Sequence, residues 1–116
     1  MNWHTNTVPK CKPHDCSDEM LVSVKTRWSD GRVLKAVYIA DHNCTTEDMC
    51  WNMPDGVPDD WEYDEEQDSW WIAPGWYEVA DNFEEYEYAL IDGDVYAWAK
   101  LPRAYKPRIK NLGGVN

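Results

Sequence analysis

The stretch MLVSVKTRWSDGRVLKAVYIA, residues 20–40, decides the fold. Its first seven residues alternate and are rich in valine, which predicts a β-strand. Residues 33–40 predict a partner strand. Asp30 and Gly31 lie between the two strands and form the Asp-Gly pair that favours a tight hairpin turn. The stretch therefore predicts a β-hairpin whose two outer ends lie side by side.

A second hairpin is predicted in YEYALIDGDVYAWAKL, residues 86–101. Both of its arms alternate in polarity, and Asp92 and Gly93 are the predicted turn. Between the two hairpins, SWWIAPGWYEVA, residues 69–80, predicts two short strands interrupted at a Pro-Gly pair.

One short helical turn is predicted in TTEDMCW, residues 45–51, with Thr45 or Thr46 as its N-cap. The predicted fold class is therefore α+β and rich in β-structure. We expect a small antiparallel sheet built from hairpins, with one or two short helices and a structural zinc site.

The zinc site is predicted from two close cysteine pairs that flank the first hairpin. Cys11 and Cys16 precede it in CKPHDC, and Cys44 and Cys50 follow it in HNCTTEDMC. Because the outer ends of a hairpin are adjacent, the two pairs can meet at one end of the sheet. Four thiolates in two close pairs suit tetrahedral zinc, and the bound metal stabilises a small domain.

Alternatives to this four-cysteine site remain open. His14 and His42 lie beside the pairs, and either would replace one cysteine as a ligand. The thiols would otherwise be free of metal, or joined in disulfides, which a reducing cytosol disfavours.

A length of 116 residues suits one domain. We expect residues 1–102 to form a zinc-stapled, β-rich domain and residues 103–116 to form a basic, flexible tail.

The charge of the chain is large and unevenly distributed. The formal net charge is −11, and residues 47–94 contain no Lys or Arg. Such an anionic stretch repels phosphate, so we expect no direct binding of nucleic acid. A basic groove on another protein is the expected partner.

Aromatic side chains occur among the acidic ones in the middle of the chain. Trp and Tyr anchors supply much of the energy of protein interfaces, while surrounding charges set association rate and orientation. We therefore predict a partner-binding face. Its residues are Asp59, Asp60, Trp61, Glu62, Tyr63, Asp64, Glu65, Glu66, Asp68, Trp70 and Trp71.

The sequence does not predict an enzyme. Two of the three histidines lie beside the cysteines, and His4 lies in an N-terminal end that we expect to fray. There is no glycine-rich phosphate loop, and the acidic run lacks the spacing of an EF-hand. A hydrolase with paired carboxylates is the remaining enzymatic alternative.

With no apolar run of about 20 residues and no signal-like start, we expect a soluble cytosolic monomer.

Two stretches resemble a small domain of unknown function that is common in phages and prophages. They are EMLVSVKTRWSDGRVLKAVY, residues 19–38, and VYAWAKLP, residues 95–102. That family carries a strand, an Asp/Gly turn and a second strand, and closes with an aromatic-containing strand that ends in Leu-Pro. The resemblance implies a phage or mobile-element source and no known catalytic residues.

The combination of a zinc-type cysteine set with an acidic face is also similar to a zinc-binding anti-CRISPR class. That class blocks the loading of DNA onto a type II CRISPR nuclease. The similarity implies an inhibitor that acts in the host bacterial cytosol. The alternative is an accessory phage domain with structural zinc and no defence target.

Overall fold

The computed structural model describes residues 2–53, 56–81, 86–91 and 93–102. The predicted β-rich, antiparallel architecture is confirmed, whereas no α-helix occurs among the described residues. The predicted tail, residues 103–116, lies outside the described residues. The strands in chain order are β1 (Met20–Thr26), β2 (Ser29–Ile39), β3 (Tyr63–Asp64), β4 (Ser69–Trp70), β5 (Gly75–Asp81), β6 (Tyr86–Leu90) and β7 (Asp94–Lys100).

Five of the strands form one antiparallel sheet in the order β6-β5-β2-β1-β7. The predicted hairpin of β1 and β2 lies at its centre, with Met20 opposite Ala36. β3 and β4 form a separate two-stranded ribbon within the long connection from β2 to β5. That connection also carries the second cysteine pair, so both predicted sites lie on or beside it.

The turn of the first hairpin lies earlier than predicted. Thr26 is opposite Ser29, so residues 27–28 form the turn, and Asp30 and Gly31 belong to β2. The pairing of β1 with β2 shifts just before this turn, which is the mark of a β-bulge. A glycine inside a strand is typical of such a bulge, so the Asp-Gly pair accompanies the irregularity and does not make the turn.

The predicted second hairpin is wrong, although both of its strands exist. β6 pairs with β5 and β7 pairs with β1, which places them at opposite edges of the sheet. Four Cα steps join Leu90 to Asp94 and span at most about 15 Å. The two edges of a flat five-stranded sheet would lie roughly 19 Å apart. The sheet therefore curls, and its edges approach each other.

Contacts at both ends of the short β6–β7 connection favour the passage of the chain from one edge of the sheet to the other. The backbone N–H of Ile91 donates to the Trp76 carbonyl at 3.0 Å. Gly93 lies so close to β1 that an added Cβ would come within 2.5 Å of the Lys25 carbonyl oxygen. Gly93 thus permits close approach of two backbones, while Asp92 lies outside the described residues.

Among the residues that the structure describes, the buried side chains form two groups. The alternation of β1 buries Val22 and Val24, which pack with Ala36 of β2. The larger group joins the sheet to the long β2–β5 connection, because it contains residues of both. Its members are Val37, Ile39, Cys44, Ile72, Tyr77 and Val79.

The predicted helical turn is present only as an isolated turn. Asp48 N–H donates to Thr45 Oγ1 at 3.1 Å, and Thr45 N–H donates back to Asp48 Oδ2 at 2.9 Å. This is a reciprocal capping arrangement, and Thr45 is the residue that caps. Met49 N–H bonds the Thr45 carbonyl, but Cys50 then adopts a left-handed conformation (φ 55°), so no helix continues.

Candidate metal and partner-binding sites

The cysteine loop, residues 11–16, is fastened to the chain just before Cys44. Its turn is closed by the bond from Asp15 N–H to the Lys12 carbonyl. The side-chain amide of Asn43 donates to the carbonyls of Lys12 and Asp15 at 2.9 and 2.7 Å. One amide therefore fixes both ends of the turn and holds the loop beside Cys44.

All four cysteines carry free thiols, in environments that differ. Cys44 is fully buried and belongs to the larger apolar group of the core. Cys16 is partly buried and packs against that group. The Cys11 thiol donates to the Tyr38 carbonyl at 3.3 Å. Cys50 is exposed.

Charge interactions show that three of these thiols share one neighbourhood. Burial, and then the charges of Cys16, Asp48, Cys11 and Asp15, raise the pKa of Cys44 to about 12. Burial raises the pKa of Cys16 to about 11 and also raises that of Cys11. The three thiols are thus protonated at neutral pH unless a cation is close.

His14 connects the cysteine loop to the capped turn. Its Nδ1 lies 3.3 Å from Asp48 Oδ2, the same oxygen that accepts from Thr45 N–H. The imidazole is 62% exposed, and His14 adopts a left-handed conformation with φ 61°. Asp48 therefore holds one ring nitrogen of His14 and leaves Nε2 as the nitrogen available to a ligand.

His42 lies in a different arrangement, between two carboxylates. Its Nδ1 is 2.9 Å from Asp41 Oδ1, and its Nε2 is 3.1 Å from Glu62 Oε2. The hydrogen bond to Glu62, and then that to Asp41, raise the pKa of His42. The Trp71 ring lies 5.6 Å from the imidazole, so His42 links the acidic segment to the end of β2.

Cys50 lies apart from the cysteine loop, in a recess beside the acidic segment. This recess is also lined by Glu47, Gln67 and Trp70. Within the described part of the chain, no three His, Cys, Asp or Glu side chains are arranged to hold a metal ion. The structure thus gathers Cys11, Cys16 and Cys44 in one neighbourhood without a formed coordination shell.

The predicted partner-binding residues form an ordered ribbon, which we call the acidic ribbon, residues 59–71. Tyr63 pairs with Trp70 across β3 and β4, and Trp71 N–H donates to the Glu62 carbonyl at 2.7 Å. Asp64 is half-buried and accepts from the backbone of the ribbon's turn. The exposed acids are Asp59, Asp60, Glu62, Glu65, Glu66 and Asp68.

The aromatic residues of the acidic ribbon divide into one exposed ring and three supporting ones. Tyr63 is 42% exposed, stacks edge-on against Trp70 with ring centroids 5.1 Å apart, and donates its hydroxyl to Asp68. Trp61 packs against the larger apolar group, and Trp71 lies beside His42. Tyr63 is therefore the aromatic side chain best placed to contact a partner.

The sequence analysis missed the pairing of the N-terminal segment with β7. His4 exchanges backbone hydrogen bonds of 2.7 and 3.0 Å with Trp98, and the Trp98 indole donates to the Thr7 carbonyl. The predicted fraying at His4 is therefore wrong. A groove of about 710 Å³ opens between this segment and the β6–β7 connection, lined in part by Trp76 and Tyr96. No local pattern signals it, since the paired residues are far apart along the chain.

Comparison of the chain with protein-family models, curated proteins and solved structures found no match. Across the described residues, no helix is long and apolar enough to cross a bilayer.

Proposed function

We propose that this protein is a non-enzymatic inhibitor that binds another protein through the acidic ribbon. The partner's surface would be a basic groove that otherwise holds nucleic acid. One observation carries the proposal: six exposed carboxylates lie on a braced two-stranded ribbon, in a chain segment that contains no Lys or Arg. The structural zinc predicted from the cysteines is a separate proposal.

The chemistry of the acidic ribbon supports binding to a cationic surface. Each exposed ion pair contributes only about 0.2–1 kcal/mol. The summed field nevertheless accelerates association, by roughly 10- to 1,000-fold where the surfaces are complementary. Tyr63 supplies an exposed aromatic ring among these charges, and such rings are frequent anchors at interfaces.

We propose a type II CRISPR nuclease in the host bacterial cytosol as the specific partner. Such nucleases hold the guide–target duplex in a positively charged channel. An acidic ribbon seated in that channel would compete with DNA for the same cations. The protein would then act as a phage-derived, stoichiometric inhibitor, and a single copy would suffice.

The test is a competition for DNA. The protein is added to a guide-loaded type II CRISPR nuclease before target DNA, and DNA loading is followed by gel shift. We expect loading to be lost at a near-stoichiometric ratio. Unchanged loading at a large excess would refute the nuclease as the target and favour an accessory phage domain.

A charge-matched pair of variants tests the role of the acidic ribbon. Glu65→Gln with Glu66→Gln removes two exposed ribbon charges, whereas Asp18→Asn with Asp94→Asn removes two exposed charges elsewhere. At about 0.2–1 kcal/mol per pair, the ribbon variant should bind roughly 2- to 30-fold more weakly. Equal affinity of the two variants would contradict binding through the ribbon.

A further inference from the structure

We infer that Cys11, Cys16, Cys44 and His14 form a zinc-binding centre from which Cys50 is excluded. The inference goes beyond the proposed function, because it concerns the folded chain alone and requires no partner. It rests on the fastening of the cysteine loop, the orientation of His14 and the charge of the neighbourhood.

The fastening by Asn43 brings the three thiols together before any metal binds. Its two hydrogen bonds to the Lys12 and Asp15 carbonyls link the loop that carries Cys11 and Cys16 to the chain at Cys44. Bound zinc would draw these sulfurs to about 2.3 Å from a common centre, which is a tighter arrangement than the described residues have in the free chain. The Cys11 thiol exchanges its weak bond to the Tyr38 carbonyl for the metal.

His14 already makes the carboxylate contact that the second ring nitrogen of a zinc ligand typically makes. A metal-bound imidazole almost always donates its second ring N–H to a carboxylate or carbonyl, which fixes the tautomer and ring orientation. Asp48 occupies that position at Nδ1, and Asp48 is itself fixed by Thr45 N–H. His14 also holds a left-handed conformation that few non-glycine residues adopt and that is often retained at functional sites.

The two competing ligands fit less well. Both ring nitrogens of His42 contact carboxylates, so binding there would break a hydrogen bond to Asp41 or Glu62. Cys50 is exposed in the recess beside the acidic ribbon and would have to leave it.

Charge favours a histidine as the fourth ligand. Four thiolates around Zn²⁺ leave a net charge of −2, whereas three thiolates and a neutral imidazole leave −1. Asp15 and Asp48 already act on these thiols with negative charge. The less anionic set is therefore preferred here, and three sulfurs with one nitrogen form a closed tetrahedral shell suited to a structural site.

The experiment measures metal binding by the full-length, reduced and metal-free protein. Zn²⁺ is titrated in competition with a chromogenic chelator, and Co²⁺ is titrated with the absorption spectrum as readout. We expect one metal ion per chain and a tetrahedral Co²⁺ spectrum with thiolate charge-transfer bands. His14→Asn should shift these bands and weaken Zn²⁺ binding at least about tenfold, while Asn still tolerates the left-handed backbone.

Two further variants complete the assignment. Asp48→Asn should weaken Zn²⁺ binding about 10- to 100-fold, as loss of an orienting carboxylate does. Cys50→Ser is the matched control and should leave affinity and spectrum unchanged. Since Cys44 is fully buried and its substitution risks unfolding, the exposed residues His14 and Cys50 decide the result. Loss of metal in Cys50→Ser with full affinity in His14→Asn would overturn the ligand set, and a wild-type chain that binds neither metal would overturn the centre.

Discussion

At the scale of single residues, backbone conformations in unusual regions concentrate around the two candidate sites. His14, His42, Cys50 and Asp68 all adopt positive φ angles, and none of them is a glycine or an asparagine. Histidine and aspartate adopt left-handed conformations more often than most non-glycine residues, but the residue type alone does not show which positions do so, and a left-handed cysteine is uncommon. Their segments are therefore where sequence-based prediction of local structure is weakest.

Gly93 provides the sharpest residue-scale prediction. In Gly93→Ala, the new Cβ would lie 2.5 Å from the Lys25 carbonyl oxygen and 3.3 Å from Val24 Cγ1, so β7 must shift away from β1. We expect the free energy of unfolding to fall by about 1–3 kcal/mol, as in other overpacked sites. Urea denaturation measures this change.

Gly31→Ala is the matched control, since no heavy atom beyond its chain neighbours lies within 4 Å of the added Cβ. Neither glycine has a positive φ, so the comparison isolates the steric effect of the methyl group. Equal stability of the two variants would contradict the close approach of Gly93 to β1.

At the scale of elements, strands could be predicted from the sequence but their pairing could not. The bounds of β1 follow from its alternation, and a strand does begin at Gly75, where the Pro-Gly pair was expected to divide two strands. The partners of β6 and β7 are distant in sequence, and the curling of the sheet decides them. A local turn signal at Asp92 and Gly93 therefore misled the prediction.

In the candidate sites, too, the sequence predicts which segments meet but not the contacts that hold them together. The meeting of Cys11 and Cys16 with Cys44 could be predicted, because both segments adjoin the outer ends of one hairpin. The amide of Asn43 and the carboxylate of Asp48, which fasten these segments, could not be predicted, since neither belongs to a recognisable motif. Which residue completes the site depends on such contacts.

We expect single substitutions to destabilise the acidic ribbon more easily than the five-stranded sheet. Its strands have two residues each, and an isolated ribbon of this size is marginal in water. Tyr63→Phe keeps the ring against Trp70 and removes the hydroxyl bond to Asp68. We expect faster amide hydrogen exchange within the ribbon and a change in global stability within about 0.5 kcal/mol.

Tyr96→Phe serves as the control for this experiment, because Tyr96 is exposed on β7 and lies outside the ribbon. Its exchange rates in residues 59–71 should equal those of the wild type. Ribbon protection that is unchanged in Tyr63→Phe would show that the hydroxyl bond does not brace the ribbon.

At the scale of the whole molecule, the net charge of −11 opposes folding as well as favouring a cationic partner. Carboxylates on the acidic ribbon repel one another and the acids of the nearby turn, and this repulsion is greatest in the compact state. The same charges thus have opposite effects on stability and on association.

Sodium chloride should separate these two effects. The Debye length falls from about 8 Å at 0.15 M salt to about 3 Å at 1 M, which screens the repulsion between exposed acids. We expect the melting temperature of the free protein to rise over this range, and its affinity for the nuclease to fall steeply. The rise should be smaller in the Glu65→Gln and Glu66→Gln variant.

Chloride is used because sulfate stabilises proteins by exclusion from their surface. A melting temperature that falls with salt would show that attractive ion pairs dominate the fold, and salt-independent affinity would remove the electrostatic basis of the proposed inhibition.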